Sequence, residues 1–328
     1  MKKINSLLVV SVTALLSACG QNNAPSAMSQ VAEMSPTFPA YCSANGGKAI
    51  GNDAEVVKVA DGYVFLEGPV WSAATESFYF SEMDFAGPQQ DGPRAIIHRL
   101  QLPDTVDVFI DNSGSNGLAI DGDALIAMTH DDQTISKYDL ATKERSTWVT
   151  DYHGKHYNSP NDGALHSQGH FYFSDPNWQL GERENETGVT GLYWRDPQGQ
   201  VTLVDGEREN PNGVTLSPDE KWLYVGDKNG AVMRYAVNAD GSVGDKQLFA
   251  TVDNPDGMAV DCAGNLYVTS HGPGKLHVLA PDGNELANIN IAPQTTNIAF
   301  GGPEHKTILI TAGGGLYRIQ SPIAGSPY

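Results

Sequence analysis

One unit recurs six times along this chain, and it limits the fold more than any other feature. A polar residue, usually followed by glycine, opens a short strand of small apolar residues. A turn follows, then a second strand rich in aromatic and β-branched side chains. The copies open at Glu67-Gly68, Asn116-Gly117, Asp162-Gly163, Asn212-Gly213, Asp256-Gly257 and Asn297-Ile298. They are 49, 46, 50, 44 and 41 residues apart. The second strands read at 78–81, 125–129, 171–174, 222–226, 266–270 and 308–312. Third strands follow each copy, and weaker fourth strands are visible at 106–110, 146–149, 201–204 and 247–250. No stretch beyond residue 56 sustains the i, i+3, i+4, i+7 pattern of an amphipathic helix.

A period in the forties made only of strands predicts an all-β fold, a six-bladed β-propeller. The alternative, a pair of β-sandwiches, does not account for six even steps. Too little chain remains after residue 319 for the last blade's fourth strand. Residues 56–59, ahead of the first copy, are placed to supply it and close the ring without a bare edge. The 35 Gly and 19 Pro fit many turns. The aromatic residues of the second strands, such as Tyr79, Phe80, Tyr172, Phe173 and Tyr224, read as packing between blades.

The N-terminus has a different character. Lys2 and Lys3 precede an apolar run of ten residues, 7–16, too short to span a bilayer as a helix. Leu16-Ser17-Ala18-Cys19 then resembles the end of a bacterial lipoprotein signal. The expected organisation is a signal peptide at 1–18, a lipidated Cys19 with a tether over 19–45, and the propeller at 46–328. An ordinary secretory signal cut near Ala18 is the alternative. Both export the protein. Gly20, by the same resemblance, directs it to the outer membrane, on its periplasmic side. The membrane is then met only through the lipid. Cys42 and Cys262 are left to pair in an oxidising compartment, although two cysteines do not by themselves fix a geometry.

Charge excludes one class of partner. The chain carries 39 Asp plus Glu against 20 Lys plus Arg, a net charge of −19, and so lacks the basic surface that nucleic acid requires. No Cys-x-x-Cys or His-Glu-x-x-His spacing marks a zinc site.

In a propeller the first strand of each blade lines the central channel. The opening positions Glu67, Asn116, Asn161-Asp162, Asn212, Asp256 and Asn297 are all acids or amides. Converging oxygen ligands with a small negative charge suit a hard divalent cation. Asn and Asp also cap turns before strands in many loops, which is the plain alternative.

The same residues carry a family resemblance. Glu67-Gly68-Pro69-Val70-Trp71, Asn158-Ser159-Pro160-Asn161-Asp162-Gly163, Phe173-Ser174-Asp175-Pro176, Pro211-Asn212-Gly213-Val214 and Asp256-Gly257-Met258-Ala259-Val260-Asp261 occur in order. Together they resemble the gluconolactonase/senescence-marker-protein (regucalcin) family. The resemblance implies a six-bladed propeller that hydrolyses a sugar lactone, gluconolactone-like, with one divalent metal ion, Ca2+ first, with Zn2+, Mn2+ or Mg2+ as alternatives. It implies that Glu67, Asn212 and Asp256 hold the metal, with Asn161 as a further ligand or a substrate contact. Asp256 is the first choice for the catalytic base. The animal members have an Arg where this chain has Ser159, so their sugar specificity does not transfer; the bacterial branch fits better. Paraoxonase-like or fluorophosphatase-like chemistry and a non-catalytic ligand-binding propeller are the competing readings.

Further candidates for substrate contact are Asn116, His130, His156 and His271, which neighbour channel-facing strands, and Trp178, in a loop after Asp175-Pro176. Ser113-Gly114-Ser115-Asn116-Gly117 fits Gly-x-Ser-x-Gly only in part and lacks the strand–elbow–helix setting of a hydrolase serine.

Overall fold

The computed structural model describes residues 41–42, 48–86 and 90–327. The expected signal peptide, Cys19 and most of the expected tether lie outside them. The twenty-four described strands form six four-stranded antiparallel sheets. Strand β1 (Val57–Asp61) precedes the first complete blade, which is β2 (Leu66–Ser72), β3 (Ser77–Asp84), β4 (Arg94–Gln101) and β5 (Thr105–Ile110). The second is β6 (Ser115–Asp121), β7 (Ala124–Thr129), β8 (Thr134–Asp139) and β9 (Arg145–Val149). The third is β10 (Gly163–Leu165), β11 (Phe171–Asp175), β12 (Gly191–Arg195) and β13 (Val201–Asp205). The fourth is β14 (Pro211–Leu216), β15 (Trp222–Asp227), β16 (Ala231–Val237) and β17 (Val243–Thr251). The fifth is β18 (Pro255–Val260), β19 (Leu266–Ser270), β20 (Lys275–Leu279) and β21 (Glu285–Asn290). The last is β22 (Thr295–Gly301), β23 (Thr307–Ala312) and β24 (Gly315–Gln320), completed by β1. As expected, the segment before the first repeat supplies the missing strand, pairing Val57 with Arg318 and Asp61 with Gly315.

The period-2 alternation of the strands builds the core as six wedges between neighbouring blades. In β3, Phe78 and Phe80 face the last blade, where they meet Ala299, Leu309 and Leu316. Tyr79, between them in sequence, points the other way onto Leu118, Leu125 and Ala127 of the second blade. Phe171, Phe173 and Tyr193 fill the wedge against Ile126, Met128 and Ile135. Each fully buried aromatic of this kind contributes roughly 1.5–3 kcal/mol by leaving water.

The six inner strands contact one another in a closed ring, β2 to β6, β10, β14, β18, β22 and back to β2. Their close approach explains the recurring glycine. A Cβ on Gly117 would lie 2.4 Å from the Asn161 carbonyl oxygen, and one on Gly213 would lie 2.2 Å from the Asp256 carbonyl oxygen. No other residue fits there without moving a backbone.

In five inner strands the ladder skips two residues, Gly68-Pro69, Asn116-Gly117, Asn212-Gly213, Asp256-Gly257 and Thr296-Asn297. Such bulges bend a strand and re-aim a side chain. They also correct the repeat. Asn116, Asn212 and Asp256 occupy equivalent places, and Asn161, two residues before Gly163, corresponds to them in the third blade. Glu67 sits one residue earlier in its ladder and Asn297 one later. The six openings are therefore not one repeated position.

Cys42 and Cys262 form a disulfide with Cα atoms 5.0 Å apart. It packs with Ile323 and Ala324 of the C-terminal segment. Among the described residues no helix is long and apolar enough to cross a membrane.

Candidate functional site

At or beside the bulged positions of the inner strands a group of polar side chains comes together. Glu67, Asn161, Asn212 and Asp256 line a cavity of about 320 Å³ there. Each of the four is buried, Glu67 at 4% and Asp256 at 6% exposure. Phe65, Phe85, Trp178 and Gln179 form its sides, together with Lys228, Asn254, Pro255 and His271.

Two carboxylates this close and this buried perturb each other. Burial pushes the Glu67 carboxyl well above the usual carboxylate range, and the negative charge of Asp256 adds to the shift. The Gly68 N–H, 3.1 Å from Glu67 Oε2, and the Asn297 amide, 3.3 Å away, act against it. Burial likewise raises Asp256, opposed by His271, whose Nδ1 is 3.3 Å from Asp256 Oδ2. The same pair raises His271. Asp162, next to Asn161, is pushed up to about 7 by burial, despite N–H bonds from Gly163 and Val214 at 2.9 and 3.3 Å.

Several oxygens in this cavity lack a hydrogen-bonding partner. Asn212 Oδ1, Asp256 Oδ1 and Gln179 Oε1 are buried and accept no hydrogen bond. A buried acceptor without a donor is costly unless something else satisfies it. An acceptor-only arrangement beside two carboxylates fits a hard cation. Among the described residues no group of three or more His, Cys, Asp or Glu side chains is arranged to hold a metal, so a cation here would depend on the amide oxygens.

The cavity contains six of the sequence candidates: Glu67, Asn161, Trp178, Asn212, Asp256 and His271. Asn116 is not in its lining; it is buried in the ring, with neither amide atom hydrogen-bonded. His130 is also buried, its Nε2 2.7 Å from the Pro93 carbonyl oxygen, and burial lowers it to about 4. That ring supports a loop and does not reach the cavity. His156 is exposed and pairs with Glu186 at 2.9 Å.

Sequence reasoning missed Phe65, Phe85, Gln179, Lys228 and Asn254. Phe65 lies between β1 and β2 in a segment with no repeat signal. Gln179 follows Trp178 and shared its loop signal. Its loop is firmly held. Ser159 Oγ donates to the Pro176 carbonyl at 2.6 Å and accepts from the Gln179 N–H at 3.2 Å. Arg183 donates to the carbonyls of Leu180, Asp131 and Gln179 at 2.8, 3.0 and 2.9 Å. Ser159 is thus a buried brace for the cavity wall.

Comparison with known proteins places this geometry in a family. A model described as the SMP-30/Gluconolactonase/LRE-like region matches residues 65–314. A gluconolactonase from Zymomonas mobilis is 28% identical, with 96% of this chain and 92% of that relative covered. A 6-deoxy-6-sulfogluconolactonase from Pseudomonas putida is 27% identical, with 76% of this chain and 83% of the relative covered. The solved structure of a gluconolactonase from Xanthomonas campestris superimposes with a TM-score of 0.73 at 27% identity, covering 85% of this chain and 99% of its own. With the matched region spanning nearly the whole propeller, the chain belongs to the SMP-30/gluconolactonase/LRE-like family.

Proposed function

We propose that the protein hydrolyses a lactone in the cavity formed by Glu67, Asn161, Asn212 and Asp256, with the help of one divalent cation. The observation that carries this reading is the convergence of two buried carboxylates with amide oxygens that accept no hydrogen bond. The gluconolactonase relatives support the reaction class. Glu67, Asn212 and Asp256 would hold the cation, with Asn161 beside them. The all-oxygen set favours Ca2+, ahead of Zn2+, Mn2+ or Mg2+. When bound, the cation would supply polarisation of the lactone carbonyl and charge for the developing oxyanion.

The chain's own groups account for the rest. The Asp256 carboxylate accepts a proton from the attacking water, whose oxygen bonds to the carbonyl carbon. The ring C–O bond breaks, and the ring oxygen leaves as a hydroxyl by taking the proton back from the Asp256 carboxyl, which returns to its starting form. Burial raises the Asp256 carboxyl, while His271 and the cation, when bound, would favour its charged form. The Asn161 amide would bond a polar group of the substrate.

The test is proton release from glucono-1,5-lactone and a panel of other lactones, before and after chelation, with Ca2+, Mg2+, Mn2+ and Zn2+ added back in turn. Metal-dependent acceleration over spontaneous opening is expected for at least one lactone. A panel that stays at the spontaneous rate under every condition would refute the proposal.

The cellular place is part of the same reading: an exported enzyme tethered at the envelope through Cys19. The Cys42–Cys262 disulfide supports an oxidising compartment. Cys19→Ala is expected to move the protein from the membrane fraction to the soluble fraction; unchanged membrane association would count against the lipid tether.

A further inference from the structure

The candidate cavity has two chemical zones. Glu67, Asn161, Asn212 and Asp256 are buried, while the polar Lys228 and Asn254 of the same lining are exposed. Of its aromatic side chains, Phe85 is 45% and Trp178 40% exposed. Only six large apolar residues are that exposed among the described residues, and two of them line this one mouth. A third, Val64, precedes Phe65 in the chain. Phe65 meets Phe85 edge-on at 5.6 Å and lies 5.9 Å from the His271 ring. Isolated exposed apolar residues are ordinary, but a cluster beside a polar pocket marks a contact surface.

Hydrogen bonds hold the Phe65 and Trp178 sides of this rim. The Val64 N–H donates to Glu82 Oε1 at 2.9 Å, and Glu82 Oε2 is in turn 2.7 Å from His98 Nε2. The Phe65 carbonyl accepts from the Met83 N–H at 2.8 Å. On the other side, Arg183 and Ser159 fix the backbone that carries Trp178. Lys228, also in the lining, is 3.4 Å from Glu209. Aromatic surface held in place while exposed is preorganised to bind.

We infer that the rim receives an apolar substituent, alkyl or aryl, carried by the lactone, and that the protein prefers such lactones to unsubstituted or polyhydroxylated ones. The inference rests on the proposed lactone site: the polar zone takes the ring and its carbonyl, and the aromatic zone takes what projects from the ring. Phe65 and Phe85 offer no hydrogen bond to a sugar hydroxyl, whereas they gain from covering a hydrocarbon chain.

The experiment uses two ligand series bearing methyl to pentyl groups at the ring carbon next to the heteroatom. δ-Lactones report kcat/KM. The matching δ-lactams resist hydrolysis and report affinity by calorimetry, independently of turnover. In the wild-type protein both quantities are expected to rise about three- to fourfold per added methylene over the first few carbons. Phe85→Ser and Trp178→Ser are expected to flatten that slope, and Phe85→Leu, which keeps an apolar rim, to retain most of it. Melting temperatures check that the variants fold. A flat or falling wild-type slope for the lactams overturns the inference, whatever the hydrolysis assay shows. A rising lactam slope without hydrolysis of any lactone upholds the apolar rim and refutes the proposed reaction instead.

Discussion

At one end of the inner strands lie Glu67, Asn161, Asn212 and Asp256; beyond the bulges, toward the other end, lie Val70, Leu118, Val214, Met258 and Ile298. The second set lines a larger cavity, about 450 Å³, with Trp71, Trp148 and Phe300. Its polar inner-strand side chains are already engaged: Asp162 accepts from two backbone N–H groups, Asn297 Oδ1 accepts from the Ile298 N–H at 2.7 Å, and Asp121 pairs with Lys137 at 2.6 Å. The same strands thus present unsatisfied oxygens at one end and satisfied, mostly apolar surface at the other. Size does not mark the chemistry; unmet hydrogen-bonding capacity does. The two-residue bulge is the device that separates the ends, because it lets one residue of a buried strand turn out of the ladder.

The two ends should therefore respond differently to mutation. The largest effect is expected at the apolar end, where the C-terminal segment is bound in by Cys262 N–H to the Ala324 carbonyl and Ser326 N–H to the Val260 carbonyl, both at 2.8 Å. The disulfide joins residues 220 apart in sequence. Replacing Cys42 and Cys262 by Ser together should lower unfolding free energy by about 5 kcal/mol on the chain-entropy model, read from denaturant melts. The rate of the folded variant should stay unchanged. A large loss of rate at full folding would break the division between the ends.

A smaller effect is expected of His130, close to the polar end but outside the cavity. Burial holds it at about 4, against 6.5 for a free imidazole. Between these values the unfolded chain binds a proton that the native protein does not, so stability falls as pH drops from 6.5 toward 4. The loss approaches about 3 kcal/mol near the lower value. His130→Asn should flatten that part of the stability–pH curve. An unaltered slope would show that other groups govern it.

Smallest of all is Phe300→Leu at the apolar end, where the ring meets Tyr267 edge-on at 5.1 Å. A core swap of this kind should cost about 1 kcal/mol, seen as a lower melting temperature, with the rate preserved.

Much of this was legible beforehand, for identifiable reasons. Six blades and the ring closure by residues just before the first repeat follow from spacing alone, because each sheet must cover its neighbour's apolar face. The fourth strand of the fifth blade, Glu285–Asn290, was not visible: its sequence, Glu-Leu-Ala-Asn-Ile-Asn, carries little β-type signal, and it forms because β20 offers an unpaired edge. The buried polar residues of the site were visible as acids and amides before glycine. Their register was not, since a one-residue offset at Glu67 and Asn297 leaves the sequence repeat unchanged. The histidines could not be sorted by sequence at all. His130 and His271 both follow second strands, yet one supports the Pro93 loop and the other faces Asp256. That difference is decided by loops from other blades.

The central claim is that the buried carboxylates of the polar end perform lactone hydrolysis. Its most direct test is the initial rate of proton release with Glu67→Gln and Asp256→Asn, each confirmed folded by its melting temperature. Loss of Asp256 as proton acceptor should lower the rate by about 100-fold or more, and Glu67→Gln should fall toward the rate of the chelated wild-type protein. Both variants retaining the wild-type rate would contradict the account.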